Sequence, residues 1–292
     1  MTYPIWAGGT IASGRDMIIR YGIAETIGLR REMEDTHAVR DEEESGIFCA
    51  EVYDGHSGSL AASIARDVLT TYFLRRLREG GSTGGNGFMA EALREAYLAT
   101  DRQIADGRTE SGAAAATLYL HKKGFLAANV GDVRIVLKDG ARAKALTTDH
   151  KPDLPEEMAR IEALGGSVIS LDVPRVEGFL AMSRALGDTP LKPFVTAEPR
   201  IVEGVLGRKD DLAIIASDGL WDVFTSDEAI ALAHRAGEPE EAARILRAMA
   251  TERGSTDNIT VIVLDLKAYA AESRYHRLRV TRILDLAAAG RR

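Results

Sequence analysis

Cysteine is almost missing from this chain. Cys49 is the single one among 292 residues, so no disulfide can close within it. A lone cysteine favours a reducing compartment, and its place in the apolar run Ile47-Phe48-Cys49-Ala50 marks it as a small buried thiol. Long apolar runs are missing too, and none approaches the roughly 18 residues that cross a bilayer. Met1 to Gly14 has no basic residue before Arg15 and no sustained apolar core, unlike a secretory signal. Positive charge is in short supply: 37 bases against 44 acids leave a net charge of −7, which argues against a nucleic-acid partner. Histidine and cysteine pairs at zinc spacing, internal repeats and low-complexity linkers do not occur either. A cytoplasmic enzyme is expected, with the 45% hydrophobic and 28% charged composition of an ordinary globular chain.

The periodicities that are present describe mixed strands and helices. Met17 to Ile27 alternates, with Ile19, Tyr21, Ile23 and Ile27 on one face, as a half-buried strand does. A second strand ends at Val52-Tyr53-Asp54-Gly55-His56-Ser57-Gly58, which turns into a helix expected over Ser57–Glu79 with Ser57 as its N-cap. Gly80 to Gly87 reads as a flexible break before a second helix over about 89–105. Strand-like runs follow at 114–121, 124–130 and 133–137, the last two reading as a hairpin around Gly131-Asp132. A short helix is predicted from Pro155 to Leu164, a strand from Leu212 to Ala216, helices at about 227–235 and 240–252, and a final strong strand from Ile259 to Leu266. Strands in runs with helices in pairs between them predict an α+β fold with antiparallel sheets.

Four aspartates stand at strand ends. Asp54 and Asp218 close apolar strands, Asp257 opens one, and Asp132 occupies a turn. Sheets line their strand ends along one rim, where these acids can meet. Several uncompensated carboxylates in one place repel each other, so convergence would imply bound cations, and an oxygen-only set selects hard ions such as Mg²⁺ or Mn²⁺. On pattern alone each aspartate reads more readily as a turn residue than as a ligand.

Seven motifs in fixed order go further: Arg30-Arg31-Glu32-Met33-Glu34-Asp35, Tyr53-Asp54-Gly55-His56-Ser57-Gly58, Asn129-Val130-Gly131-Asp132-Val133-Arg134, Thr148-Asp149-His150-Lys151-Pro152, Ala181-Met182-Ser183-Arg184-Ala185-Leu186-Gly187-Asp188, Ala216-Ser217-Asp218-Gly219-Leu220-Trp221-Asp222-Val223 and Thr256-Asp257-Asn258-Ile259-Thr260. Over about residues 20–266 the chain resembles the metal-dependent protein serine/threonine phosphatases of type 2C. The resemblance implies a four-layer α-β-β-α sandwich of two face-to-face antiparallel sheets flanked by helices. It implies hydrolysis of phosphoserine and phosphothreonine in proteins by direct attack of a metal-activated water, with two Mg²⁺ or Mn²⁺ ions and a weaker third. In that pattern Asp54 bridges the two metals, and Glu34 with the Gly55 carbonyl completes one. Asp218 and Asp257 hold the other, and Asp132 serves the third position. Arg30 matches the phosphate-binding arginine and His56 the general acid, while Asp35 and Asp188 stand behind them and Asp222 goes with the helix start after Trp221. Phosphoproteins and a cognate serine/threonine kinase are the partners this implies, to a monomer.

With no internal repeat or linker, one compact phosphatase domain is expected at 15–267 after a 1–14 extension, and the resemblance implies a mobile flap at about 155–180. Ser111-Gly112-Ala113-Ala114-Ala115 and Val133 depart from the family's usual hydroxyl residues without removing any ligand. Beyond it, Val280, Ile283, Leu284, Ala287 and Ala288 keep helical spacing and residues 272–292 hold six arginines against two acids. A basic amphipathic helix is therefore expected at 268–292. A second reading, a pseudophosphatase that binds a phosphoprotein or kinase without turnover, is disfavoured by the intact Glu34, Asp54, Asp218 and Asp257.

Overall fold

Strands that are apolar on both faces must be covered on both, and that demand builds the molecule. In the strand Ile47–His56, Ile47, Cys49 and Tyr53 enter one hydrophobic cluster while Phe48, Ala50 and Val52 enter another. Burying both faces of such a run takes a layer above and a layer below.

The computed structural model describes residues 6–13, 17–80, 87–121, 124–276 and 278–285. The chain opens with β1 (Trp6–Ser13), β2 (Met17–Thr26), β3 (Thr36–Glu42) and β4 (Ile47–His56), then α1 (Leu60–Gly80) and α2 (Phe88–Asp106). There follow β5 (Gly112–His121), β6 (Gly124–Val130), β7 (Arg134–Asp139), β8 (Arg142–Ala145), α3 (Pro155–Ala163), β9 (Val168–Ser170), β10 (Pro174–Val176) and β11 (Leu186–Gly187). The last third holds β12 (Arg200–Val205), β13 (Leu212–Ala216), α4 (Asp218–Trp221), α5 (Ser226–Ala236), α6 (Pro239–Glu252), β14 (Ile259–Asp265), α7 (Lys267–Ala271) and β15 (Arg279–Leu284).

Two large antiparallel sheets form, one ordered β1-β2-β14-β13-β7-β8 and the other β15-β12-β6-β5-β4-β3 with β11 attached to β5, while β9 and β10 pair separately. A middle layer of Ile19, Phe48, Val52, Leu118, Ile135, Ile215 and Ile262 joins them face to face. Helices α1 and α2 cover the outer face of the second sheet through Leu69, Phe73, Leu93 and Tyr97. Helices α5 and α6 cover the first through Ile230, Leu246 and their neighbours. This is the expected four-layer sandwich. Cys49 lies fully buried within it, and burial pushes its thiol well up.

Four local expectations are corrected. Residues 6–13, expected in an extension outside the domain, are strand β1, paired with β2 from Trp6–Ala24 to Ser13–Met17. Helix α1 begins at Leu60, not at Ser57, because Ser57 and Gly58 adopt φ of 56° and 109°. Strands β6 and β7 are not a hairpin: they belong to different sheets, and Gly131-Asp132 carries the chain across. Gly131 has φ 79°, and a Cβ there would lie 2.5 Å from that of Ala114, so the crossing needs glycine. The tail is not helical where it is described: after α7, residues 279–284 form β15 along β12. Val280, Thr281 and Ile283 are β-branched, and β12 offered an open edge whose backbone groups had to be paired. Residues 81–86 of the glycine-rich break and 286–292 of the tail lie outside the described residues.

Between β8 and β12 the chain forms a unit with its own small core of Ile161, Val176, Ala185 and Val195. Its outer face exposes Leu164, Ile169, Leu171 and Phe179. Buried charges pin its root. Arg184 donates to Glu157, both 1% exposed, and to Asp285 at the end of β15. Burial alone would push Glu157 up, but Arg184 and Arg160 hold it at about 2, against a usual 4.5. Burial, with help from the Arg184 charge, lowers His150 from 6.5 to about 3. Both groups bind fewer protons folded than unfolded, so both make stability rise with pH. The stability that neutral His150 gives is present above pH 6.5 and is lost as pH falls toward 3; that of Glu157 is lost between 4.5 and 2. Asp35, Asp54 and Asp218 act in the opposite sense in the metal-free protein, so the effect is read by difference: on acidification from pH 6.5 to 4 wild type should lose urea midpoint relative to His150→Asn, and from pH 4.5 to 3 relative to Glu157→Gln. Parallel curves for wild type and variant would contradict the burial of the group replaced.

Candidate active site

The acids stand on one rim of the sandwich, contributed by both sheets. Asp54 is near the end of β4 in the seven-stranded sheet, while Asp218 follows β13 and Asp257 precedes β14 in the six-stranded sheet. Asp132 lies in the crossover from one sheet to the other. Burial, then the charges of Asp35, Asp218, Asp132 and Asp257, push the Asp54 carboxyl well above the usual range. Burial, then Asp132, Asp222 and Asp257, do the same to Asp218. These four acids are therefore close enough to repel one another, as strand-end placement allowed but could not prove.

Glu34 sits across the turn. Its backbone N–H donates to Asn258 Oδ1 at 2.7 Å, and its Oε1 accepts from the Gly58 N–H. Asn258 Nδ2 also donates to the carbonyls of Ile27 and Glu32, at 2.9 and 3.0 Å, so one amide fixes the whole 27–34 loop. The Gly55 backbone packs against the Glu34 carbonyl; a Cβ on Gly55 would lie 2.5 Å from it. Arg30 is more than half exposed and donates from Nη2 to Asp257 Oδ2 at 2.5 Å. Lys151 Nζ likewise meets Asp132 Oδ2 at 2.5 Å.

His56 is held by a partner far along the chain. Its Nε2 faces Asp188 Oδ1 and Oδ2 at 2.8 and 2.9 Å, and Nδ1 is buried without a hydrogen bond. Gly112 makes room for this pair, since a Cβ there would lie 2.1 Å from Asp188 Oδ2 and 2.4 Å from His56 Nε2. Asp35 accepts from Ser217 Oγ at 2.8 Å, and burial, only partly offset by that bond, raises it to about 6. Asp222 follows α4 instead of starting a helix: the next one, α5, is capped by Thr225, whose side chain accepts from the Glu228 N–H. Burial, with Asp132 and Asp257 adding to it, raises Asp222, so it borders the cluster. Gly112, Asn258 and Lys151 were missed as site residues, and Asp188 was placed behind the site without its partner His56; only the fold supplies these contacts.

Oxygen donors alone, mutually repelling and half-buried, suit a hard divalent cation. Asp132 Oδ1 and Asp35 Oδ1 are buried with no hydrogen-bond donor, as oxygens reserved for a cation would be. Among the described residues, no three His, Cys, Asp or Glu side chains are already arranged around a single point. Asp257 and Asp132 instead have protein cations, Arg30 and Lys151, as partners. The residues fit the metal by chemistry and charge, with those cations to be moved aside.

The family profile described as "Protein phosphatase 2C" matches residues 19–259. "Probable protein phosphatase 2C 59" of Oryza sativa subsp. japonica is 39% identical over 265 residues, covering 88% of this chain and 78% of the relative. "Probable protein phosphatase 2C 45" of the same plant is 37% identical, covering 89% and 91%. Among solved structures, serine-threonine phosphatase 2C from Toxoplasma gondii superposes with a TM-score of 0.76 at 22% identity, covering 91% of this chain and 99% of that one, which bears on the fold. With this sequence match over most of its length, on this sandwich, the chain belongs to the protein phosphatase 2C family of protein serine/threonine phosphatases.

Proposed function

We propose that the chain hydrolyses phosphoserine and phosphothreonine in proteins with Mg²⁺ or Mn²⁺, water attacking phosphorus directly. The observation that carries this reading is the gathering of Asp54, Asp132, Asp218 and Asp257 on one rim beside Arg30 and His56. Asp54 would lie between two ions, with Glu34 and the Gly55 carbonyl on one side and Asp218 and Asp257 on the other. Asp132 would serve a weaker third position. When bound, divalent metal makes a water more acidic and draws charge from the phosphoryl oxygens.

The chain's own groups do the rest. Arg30 keeps guanidinium N–H groups beyond the one given to Asp257, and their planar fork suits a phosphoryl group. Asp188 orients His56 through Nε2, and His56 would supply the proton a seryl or threonyl alkoxide needs on leaving. Such general-acid help is worth about 10²–10⁴-fold. The apolar outer face of the 155–180 flap, with Leu171 and Phe179, suits contact with a protein substrate. Among the described residues no helix is long and apolar enough to cross a membrane, and the lone buried cysteine fits a cytoplasmic setting.

Phosphate release from a phosphothreonine peptide should require added Mn²⁺ or Mg²⁺ and stop with EDTA. His56→Ala should lose far more rate on that alkyl phosphate than on an aryl phosphate, whose leaving group needs little protonation. Equal losses on both would remove His56 from the acid role. A protein that binds the phosphopeptide but releases no phosphate in metal would be a binding module on this fold.

A further inference from the structure

Lys151 has a role that the reaction chemistry leaves unassigned. Its ammonium meets Asp132 Oδ2 at 2.5 Å, and Asp132 is only 3% exposed. Asp218 and Asp222 add negative charge around the same ammonium. The contact is built in by the backbone on both sides. Asn129 Nδ2 donates to the carbonyls of Gly131 and Thr148, the His150 N–H donates to Gly131 O at 3.0 Å, and Arg134 Nε donates to Asp149 Oδ1 at 2.9 Å. The 148–151 segment is thus stitched to the sheet crossover that carries Asp132. Immediately beyond it, the Leu154 N–H returns to Lys151 O and α3 begins the flap.

We propose that Lys151 is an internal cation occupying the Asp132 carboxylate, so that a divalent ion at this position binds only once the ammonium has swung out. The inference rests on the metal-binding reading above. An ammonium on Oδ2 and a divalent ion at the neighbouring Oδ1 would repel each other at contact distance, so lysine and metal compete for Asp132. By linkage each weakens the other by the same factor. The Asp132 position is then weak because of a competitor inside the protein, not for want of oxygens. Lysine suits this use: its head is a compact charge on a flexible stem that can leave without disturbing the backbone. Its side chain is 39% exposed, so a path outward exists.

The test is calorimetric titration of Mn²⁺ into metal-free wild type, Lys151→Met, Lys151→Gln, Lys151→Arg and Asp132→Asn, with folding checked by thermal melts. The neutral variants should bind the weakest ion about tenfold tighter or more, with the stronger ions unchanged. Lys151→Arg should stay weak, and Asp132→Asn should lose that ion whether or not Lys151 is also replaced. An unchanged or weaker last ion in Lys151→Met and Lys151→Gln overturns the proposal while the stronger ions uphold the metal reading. A gain that survives Asp132→Asn overturns it equally. Absence of Mn²⁺ binding in every variant and in wild type would bring down the metal reading and this inference together.

Discussion

Asp54→Asn is expected to abolish turnover and, in the same molecule, to raise the melting temperature of the metal-free protein. The two effects have one cause. Asp54 is where burial and the charges of Asp35, Asp218, Asp132 and Asp257 combine to disfavour ionisation. Its folded pKa lies above the ordinary 3.8, so the folded state holds the proton more tightly than the unfolded chain. Above that ordinary value the group costs stability, increasingly as pH rises, and at pH 7.5 a neutral amide of the same shape removes the cost. Turnover goes the other way, because the amide cannot balance the positive charge proposed to act on the phosphoryl group. Losing about 4 kcal/mol of that stabilisation lowers the rate by about 10³-fold. Phosphopeptide turnover in Mn²⁺ and calorimetric melting in EDTA measure the two separately. A variant that melts lower in EDTA and keeps its activity would contradict both the crowding of charge and the proposed ligand role.

Arg184→Met carries the largest expected loss of stability. The guanidinium is 1% exposed and donates to Glu157, to the Glu198 carbonyl at 3.2 Å and to Asp285 at 3.0 Å. Removing it leaves the equally buried Glu157 with Arg160 alone, at 2.9 Å, and Asp285 with Arg200 at 3.3 Å. Breaking a buried pair from one side costs about 3–5 kcal/mol, whereas replacing both members with apolar groups is often near neutral. Urea unfolding of Arg184→Met should therefore show a loss of that size, and Arg184→Met/Glu157→Leu should recover most of it. A single variant within about 1 kcal/mol of wild type would mean that the ion pair is not what holds the flap root.

The strands and helices were legible because most of them bury one defined face or, like β4 and β14, form short apolar runs between turns. Which sheet a run joins was not legible. β6 and β7 are buried on both faces, so alternation carries no sign of direction, and the glycine between them serves a crossing as readily as a hairpin. The tail was misread for a related reason: Val280, Ile283 and Leu284 satisfy helical spacing, but the open edge of β12, invisible in the sequence, offered backbone partners. In the site, the aspartates announced themselves by their strand ends and motifs. Asp188 showed only as a residue behind the site and Lys151 not at all, because each takes its meaning from a residue, His56 or Asp132, that only the fold brings near.

Because Asp54 hangs from one sheet and Asp218 and Asp257 from the other, the width of the cleft equals the spacing between the sheets. Phe48, Leu118, Ile215 and Ile262 are spacers in this sense, and their volumes set how far apart the opposing carboxylates stand. Close-packed interiors transmit small changes of volume instead of absorbing them. On the metal-binding reading proposed above, the grip on an ion would thus be tuned from deep inside the molecule, by side chains that never touch it.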